Sequence, residues 1–273
     1  MQSFNKPTLS HFKETIWNYY YAHGRDFAWR NVNDPYKVFI SEVMLQQTQT
    51  KRVIAKYEQF LIEFSSFEML AAASLRDVLT VWQGLGYNRR GKFLHEAAQI
   101  VIRNHNGMLP NDPDLLIALP GIGPATAASI CAFAFNNPTV FIETNIRAVF
   151  LHFFFRGEND VHDKQLMPLI KEAVDTENPR EWYYALMDYG VLLKQTIVNP
   201  SRASKHHAVQ SKFEGSNRQI RGKIITLLTD HPTLTQQELL HRSQSQSERF
   251  LPILQQLVNE NIIKQNGDIL SIP

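Results

Sequence analysis

The segment Leu119-Pro-Gly-Ile-Gly123 lies between two stretches in which apolar residues recur at helical spacing. Its two glycines allow a tight turn, and the backbone N–H groups of the turn and of the next helix start can hold a phosphate without any side chain. Taken alone, such a segment more often only joins two helices. Gly121, Gly123 and Thr126, which follows in the small-residue run, are therefore candidate phosphate contacts whose weight depends on other motifs.

Two further motifs accompany this turn. They are Ile40-Ser-Glu-Val-Met-Leu-Gln-Gln-Thr-Gln49 and Gly84-Leu-Gly-Tyr87. In order and spacing, the three motifs resemble those of the adenine DNA glycosylases, which belong to the helix-hairpin-helix superfamily. The similarity runs from about Arg25 to Gly190, and the first motif is typical of that branch rather than of the whole superfamily. The resemblance implies an enzyme that cuts the bond between a base and its sugar in DNA.

Hydrolysis of an N-glycosidic bond needs an acid that protonates the departing purine and a carboxylate that stabilises the positively charged sugar and directs water to it. The resemblance places the acid at Glu42, whose pKa must be raised by burial for it to act at neutral pH. The second carboxylate, an Asp in the family, corresponds to Glu143. One added methylene moves the charge by about 1.5 Å, and such errors can cost on the order of a hundredfold in rate. Three interpretations stay open: a repositioned catalytic Glu, which we prefer, a weakened enzyme, or a protein that binds DNA without cutting it.

A base inside a duplex is out of reach, so the enzyme must flip it out and fill the gap. The side chains that the resemblance places in the DNA stack around the lesion are Gln46, Gln47 and Tyr87. Asn88, Arg89 and Arg90 follow Tyr87 directly, and we expect phosphate contacts there.

Ala125 limits the expected chemistry. Bifunctional relatives, which also nick the strand, carry a Lys at this position that attacks the sugar as an amine. We therefore expect hydrolysis only, which leaves an abasic site and an intact backbone.

The family usually ends this domain with four cysteines around an iron–sulfur cluster. Counted from the end of the Ala185–Gly190 helix, those places hold Lys194, Ser201, Ser204 and Gln210. Cys131 is the only cysteine, which excludes internal disulfides and a cysteine-built cluster within one chain. We expect no cofactor, and packing or hydrogen bonds must hold the basic loop instead.

The expected base pocket leaves the substrate open. The family has a Gln near the adenine where this chain has Tyr184, a few residues before Asp188, and both are treated as pocket residues. The family's extra domain that recognises 8-oxoguanine is replaced here by an unrelated C-terminal unit. Adenine opposite 8-oxoguanine or guanine is the first hypothesis. Thymine and uracil mismatch glycosylases share a Glu like Glu42 and are the alternative, and a catalytically silent DNA-binding or adaptor protein is the alternative from another class.

Helical spacing extends almost throughout the chain and strand-like alternation appears only at its end, so the class is mainly α. One helix starts at Asp34-Pro35, and others are predicted over His11–Tyr21, Lys51–Phe64, Phe67–Ala73, Leu75–Gln83, Arg89–His105, Asp114–Ala118, Asn145–Phe155, Lys164–Asp175 and Arg180–Lys194. We expect a two-part helix-hairpin-helix glycosylase core over residues 1–200, a basic linker over 201–217 and a winged-helix-like domain over 218–273.

The winged-helix prediction depends on three helices followed by a hairpin. The first helix covers Gln219–Thr229, capping boxes at Thr235–Glu238 and Ser245–Glu248 open the other two, and Asn266-Gly267 marks the hairpin turn. Pro252 should kink the third helix. A protein-binding or structural role for this domain is therefore as well supported as DNA contact.

The 273 residues are 44% hydrophobic, which suffices for a real core and more than one domain. No stretch approaches the roughly 18 apolar residues of a membrane helix, and the start lacks the apolar core of a signal peptide. We expect a cytoplasmic, monomeric protein that acts on double-stranded DNA. The net charge of +2 is too small to argue for nucleic acid, but seven Lys or Arg stand against one acid between Gly190 and Leu228. Beside a DNA-binding core, that run favours phosphate contact over a solvated linker.

Overall fold

The computed structural model describes residues 6–209 and 211–273 and is mainly helical, which confirms the predicted fold class. Up to residue 209 its α-helices are α1 (Leu9–His23), α2 (Pro35–Leu45), α3 (Thr50–Glu63), α4 (Phe67–Ala72), α5 (Leu75–Trp82), α6 (Arg89–His105), α7 (Pro113–Ile117), α8 (Pro124–Phe135), α9 (Thr144–Phe154), α10 (Asp163–Ala173) and α11 (Pro179–Thr196). A 3₁₀ turn over Pro200–Ala203 follows.

Local caps explain several helix starts. The hydroxyl oxygens of Thr8, Ser66 and Ser74 accept backbone N–H groups in the first turns of α1, α4 and α5. Asp34 Oδ1 accepts the N–H of Tyr36 at 2.9 Å, so the predicted Asp-Pro start of α2 is confirmed.

One compact unit comprises residues 6–39, 111–117 and 122–209. Its core is rich in aromatic side chains, among them Phe12, Phe150 and Trp182, all fully buried. Helices α9 and α11 approach so closely that a Cβ placed on Gly190 would lie 2.6 Å from the carbonyl oxygen of Asn145. Only glycine fits at that crossing.

The second compact unit comprises residues 40–110, 118–121 and 211–273. Beyond residue 210 it contains α12 (Asn217–Asp230), α13 (Gln236–Ser243) and α14 (Ser247–Asn259). Leu75 and Leu79 of α5 join the apolar core formed by these C-terminal helices. Arg76 Nη2 adds a 2.7 Å hydrogen bond to the Thr229 carbonyl, so the C-terminal residues are packed onto α5.

The C-terminal helices are followed by a small antiparallel sheet. Strands β1 (Leu234–Thr235), β2 (Lys264–Asn266) and β3 (Ile269–Ser271) lie in the order β1-β3-β2, and Asn266 pairs with Ile269 across the predicted turn. The capping box at Thr235–Glu238 is confirmed. The one at Ser245–Glu248 is wrong, because α14 begins at Ser247 and the Ser245 hydroxyl donates to the Ser243 carbonyl at the end of α13.

Among the helices within residues 6–209 and 211–273, none is long and apolar enough to cross a membrane. The same residues contain no group of three or more His, Cys, Asp or Glu side chains suited to a metal ion. Cys131 is buried, and burial raises the pKa of its thiol to about 11.

Candidate active site and nucleic-acid interface

The expected acid, Glu42, lies in the last half of α2. Its neighbours Ser41 and Val43 are buried, whereas Glu42 itself is half-buried. The residues on either side of Glu42 therefore fix the helix, and Glu42 itself remains partly accessible. This is a position from which a side chain can reach a ligand without leaving its helix.

The residues after α2 lead to the hairpin. Gln46 Nε2 donates to the carbonyl oxygen of Gly121 at 3.2 Å, so the first motif touches the third. Gln47 is exposed and has a φ of 52°, in the left-handed region that non-glycine residues seldom adopt. Such strain is common where a loop is shaped for a ligand.

The loop between α5 and α6 bends at three left-handed positions in the second motif. Gly84, Gly86 and Tyr87 have φ values of 92°, 72° and 48°. Trp82 Nε1 donates to the Gly86 carbonyl at 3.1 Å, which joins the turn to this buried indole. Tyr87 is left 37% exposed, unlike the buried aromatic residues of the core.

Arg90 was expected to contact phosphate, but the structure buries it. Its guanidinium donates to the carbonyls of Val43 and Met44, each at 2.9 Å, and to the Thr48 hydroxyl at 2.7 Å. It also donates to the carbonyls of Leu85 and Gly86. Burial lowers the pKa of Arg90 to about 10. Arg90 therefore ties the end of the Glu42 helix to the Tyr87 loop.

Asn88 and Arg89 differ from Arg90 in exposure. Asn88 is half-buried and precedes α6 without a side-chain cap, and Arg89 is exposed. The Arg89 guanidinium forms an ion pair with Glu260. Of the basic pair at the start of α6, only Arg89 is placed to meet a ligand in solvent.

The hairpin joins α7 to α8. Gly121 is exposed and has a φ of 77°, and a Cβ there would lie 3.0 Å from the Phe93 side chain, so glycine is required on both counts. Gly123 caps α8 and Pro124 occupies its first position, a favoured helix start. Leu119 and Ile122 are buried, whereas Gly121 and Gly123 are exposed. Thr126, in the first turn of α8, is half-buried.

The second expected carboxylate, Glu143, is the N-cap of α9. Its Oε1 accepts the backbone N–H groups of Asn145 at 2.7 Å and Ile146 at 3.0 Å. Lys194 Nζ donates to Asn145 Oδ1 at 2.7 Å, and burial lowers the pKa of Lys194 although the nearby charge of Glu143 opposes that shift. Two backbone donors at the start of α9 thus orient the Glu143 carboxylate.

The expected pocket residues lie in a buried charged cluster. Asp188 is 2% exposed, and its two oxygens accept from the guanidinium groups of Arg25 and Arg30 at 2.7 to 2.8 Å. Burial opposes the ionisation of Asp188, but its bonds and charge interactions with Arg30 and Arg25 outweigh burial and lower its pKa. Tyr184 is stacked on Phe133, and its ring centroid is 4.4 Å from the Arg30 guanidinium carbon.

The structure divides the expected site residues between its two units. One unit holds Glu42, Gln46, Gln47, Tyr87, Asn88, Arg89, Arg90 and Gly121. The other holds Gly123, Thr126, Glu143, Tyr184 and Asp188.

The model of the HhH-GPD superfamily of base excision DNA repair proteins matches residues 40–175. This match includes all three motifs and both carboxylates. The chain belongs to the HhH-GPD superfamily.

Within this superfamily the chain is similar to curated adenine DNA glycosylases. It is 35% identical to that of Buchnera aphidicola subsp. Baizongia pistaciae over 184 residues, which are 67% of this chain and 52% of the relative. It is 32% identical to that of Mus musculus over 229 residues, 79% of this chain and 44% of the relative. The chain therefore spans about half the length of the curated relatives it matches. A solved thermostable thymine-DNA glycosylase superposes with a TM-score of 0.63 at 25% identity, over 72% of this chain and 96% of that one.

An iron–sulfur cluster, expected at the end of this HhH-GPD domain in the related glycosylases, does not fit the residues present. Lys194 is engaged with Asn145, and the Ser201 hydroxyl donates to the Thr144 carbonyl at 3.2 Å. Ser204 pairs with Val161 in a short parallel bridge. The fourth place, Gln210, lies outside the described residues. Ammonium and hydroxyl groups that are bonded to the protein make poor iron ligands.

Three residues that hold candidate site residues in place, Arg25, Arg30 and Glu260, were not predicted from the sequence. Arg25 and Arg30 hold Asp188 across more than 150 residues of chain, and no local pattern indicates such a partner. Glu260 binds Arg89 from the far C-terminus. The signal that was available is charge balance, because a buried Asp such as Asp188 requires a cation.

Proposed function

We propose that this chain is a monofunctional DNA glycosylase that hydrolytically removes a mispaired or damaged base. The preferred substrate hypothesis is adenine opposite 8-oxoguanine or guanine. The observation that carries the proposal is the pair of carboxylates within the superfamily match. Glu42 is half-buried on a fixed helix, and Glu143 is held by the N-terminus of another.

In this proposal Glu42 donates its proton to the departing base as the N-glycosidic bond breaks and the bonding electrons leave with the base. The Glu143 carboxylate stabilises the positive charge on the sugar and then accepts a proton from the water that adds to it. The helix cap supports this role, because its two N–H donors fix Oε1, whereas Oε2 accepts a longer bond of 3.4 Å from the Asn145 side-chain amide.

The test is a base-excision assay on duplexes that carry adenine, thymine or uracil in defined mispairs, with alkaline cleavage of the abasic product. We expect excision by the wild-type chain and losses of about 10²- to 10⁴-fold for Glu42→Gln and Glu143→Gln. The matched control is Glu58→Gln on the exposed side of α3, which should excise normally. Tight binding without excision on every substrate would instead indicate the DNA-binding adaptor.

Removal of thymine or uracil from mismatches is the second candidate. It is favoured by the similarity to the solved thymine-DNA glycosylase, which extends over almost the whole of that protein. Running the purine and pyrimidine duplexes side by side decides between the two, because each hypothesis names the base that must be released.

The proposed monofunctional character depends on Ala125, an exposed residue in the first turn of α8. Without an amine there, no covalent imine with the sugar forms at that position. Borohydride added during turnover should therefore trap no protein–DNA adduct, while Ala125→Lys offers the comparison in which an adduct is possible.

We also propose that this chain works without an iron–sulfur cluster, because its counterparts of the cluster cysteines are Lys194, Ser201, Ser204 and Gln210. The purified active protein should contain no stoichiometric iron and show no absorption band near 400 nm. Excision that required added iron and sulfide would contradict this.

A further inference from the structure

The C-terminal residues are joined to the helix that leads into the Tyr87 loop. Leu75 and Leu79 of α5 complete the apolar core of the C-terminal helices. At the last residue before the loop turns, Gln83 Nε2 donates to the Thr229 hydroxyl at 2.5 Å. The helix that leads into the loop is therefore packed against the C-terminal residues.

Arg218, near the start of α12, lies directly against Tyr87. Its Nη1 donates to the Tyr87 hydroxyl at 3.0 Å, and its guanidinium carbon is 5.8 Å from the ring centroid. Its Nη2 donates to the backbone carbonyl and hydroxyl of Ser211. Each of these acceptors is neutral, so the hydrogen bonds orient the guanidinium without cancelling its charge.

Two more arginines lie at the same junction and share one carboxylate. Arg89 from α6 and Arg221 from α12 both form ion pairs with Glu260. The Glu260 side chain is 12% exposed, whereas that of Arg89 is 50% exposed. Among the described residues, Glu260 is the only carboxylate that forms an ion pair with any of these three arginines, and Arg218 forms no ion pair.

We propose that Arg89, Arg218 and Arg221 form one phosphate-binding surface next to Tyr87, through which residues 211–273 take part in gripping DNA. This inference rests on the proposed function, in which Tyr87 enters the duplex. A strand around an intercalated ring presents one phosphate every few ångströms, and guanidinium groups bind phosphate through paired N–H donors. Glu260 holds two of the three arginines in place and competes with the phosphates for them.

The proposal predicts opposite effects from removing charges of opposite sign. Arg218→Gln and Arg221→Gln remove phosphate contacts and weaken binding. Glu260→Gln removes the competing carboxylate while keeping the side-chain size, and so strengthens binding. A merely structural role for the cluster would weaken binding in all three variants.

The experiment measures binding of the full chain to an undamaged fluorescent duplex by anisotropy between 0.05 and about 0.3 M KCl. Losing one phosphate contact makes the negative slope of log K against log salt less steep by about 0.9, which corresponds to a roughly eightfold loss of affinity at 0.1 M salt. We expect this for Arg218→Gln and near-normal binding for Arg218→Lys, which keeps the charge. For Glu260→Gln we expect binding about two- to eightfold tighter.

The matched control is Arg103→Gln at the other end of α6, an exposed arginine with the same charge change about 21 Å from Arg89. It should bind within about twofold of wild type. Equal losses for Arg103→Gln and Arg218→Gln, or weaker binding by Glu260→Gln, would overturn the proposal. Because binding is read on undamaged DNA, a chain that binds in this pattern but excises nothing refutes the proposed function and leaves this surface standing.

Discussion

Arg90→Met tests whether one buried guanidinium holds the end of α2 against the Tyr87 loop. The substitution keeps a long apolar stem that can lie against Trp82, whose ring centroid is 5.3 Å from the guanidinium carbon. It removes the donors that serve four backbone carbonyls and the Thr48 hydroxyl.

The magnitude follows from the acceptors that are left behind. The carbonyls of Val43 and Met44 lie in the last turn of α2, where no later helical N–H can reach them. Two buried carbonyls without a donor cost about 2–6 kcal/mol together. Removing the buried charge of Arg90 offsets part of this cost, because burying a charge is itself unfavourable. We therefore expect Arg90→Met to lower the free energy of unfolding by about 3 kcal/mol.

The assay is urea unfolding at pH 7 of the wild type, Arg90→Met and Arg89→Met. Arg89 is the neighbouring residue on the same helix, but its side chain is half-exposed and its ion pair with Glu260 should contribute less than about 1 kcal/mol. In a chain of this size a 3 kcal/mol loss corresponds to a melting temperature lower by about 6–12 °C.

Equal losses for the two methionine variants would refute the reasoning, because they would show that the carbonyls find water or other donors. Arg90→Lys refines the test. A single ammonium can serve at most three of the five acceptors, so its stability should lie between those of wild type and Arg90→Met.

Three further predictions concern the unit that carries Glu143. Gly190→Ala should lower the free energy of unfolding by about 1–3 kcal/mol in urea unfolding, because the new methyl would lie 2.6 Å from the Asn145 carbonyl oxygen. The control Gly222→Ala, with open space around it, should not destabilise the protein in the same assay. Asp188→Asn should destabilise by about 3–5 kcal/mol by leaving two arginines without their partner. Because folding lowers the pKa of Asp188, ionised Asp188 stabilises the folded state above pH 3.8, its ordinary pKa, and this stabilisation is lost as the pH falls below that value. Urea midpoints measured from pH 6 down to pH 3 should therefore fall more steeply for wild type than for Asp188→Asn. Glu143→Asp should keep the cap of α9 and excise within about tenfold of wild type in single-turnover assays, in contrast to Glu143→Ala.

Most helices were predictable because each depends on spacing and caps within a few residues. Helix α6 was predicted at Arg89–His105, the bounds that the structure gives. The same local reasoning was wrong about Arg90. Consecutive helix residues point about 100° apart, so Arg89 can face solvent while Arg90 enters the core, and the sequence alone showed only a basic pair.

The long-range partners could not be predicted, because they bring together residues that are far apart in the chain. Arg30 meets Asp188 across 158 positions, and Arg89 meets Glu260 across 171. Motif spacing indicated the candidate site residues, but the contacts that hold them depend on how distant helices pack. The 3₁₀ turn at Pro200–Ala203 was missed for the same reason, since its Ser201 hydroxyl is fixed by a carbonyl of α9.

That last contact shows how the segment with the missing cysteines is organised. Ser201 donates to the Thr144 carbonyl, Lys194 donates to the Asn145 side chain, and Gly190 admits the Asn145 backbone. All three contacts converge on the first turn of α9, whose N–H groups hold the Glu143 carboxylate. The helix start, and not the length of the side chain, decides where the bound oxygen of Glu143 lies. Hydrogen bonds among ordinary polar residues thus hold the turn whose rigidity the proposed chemistry requires.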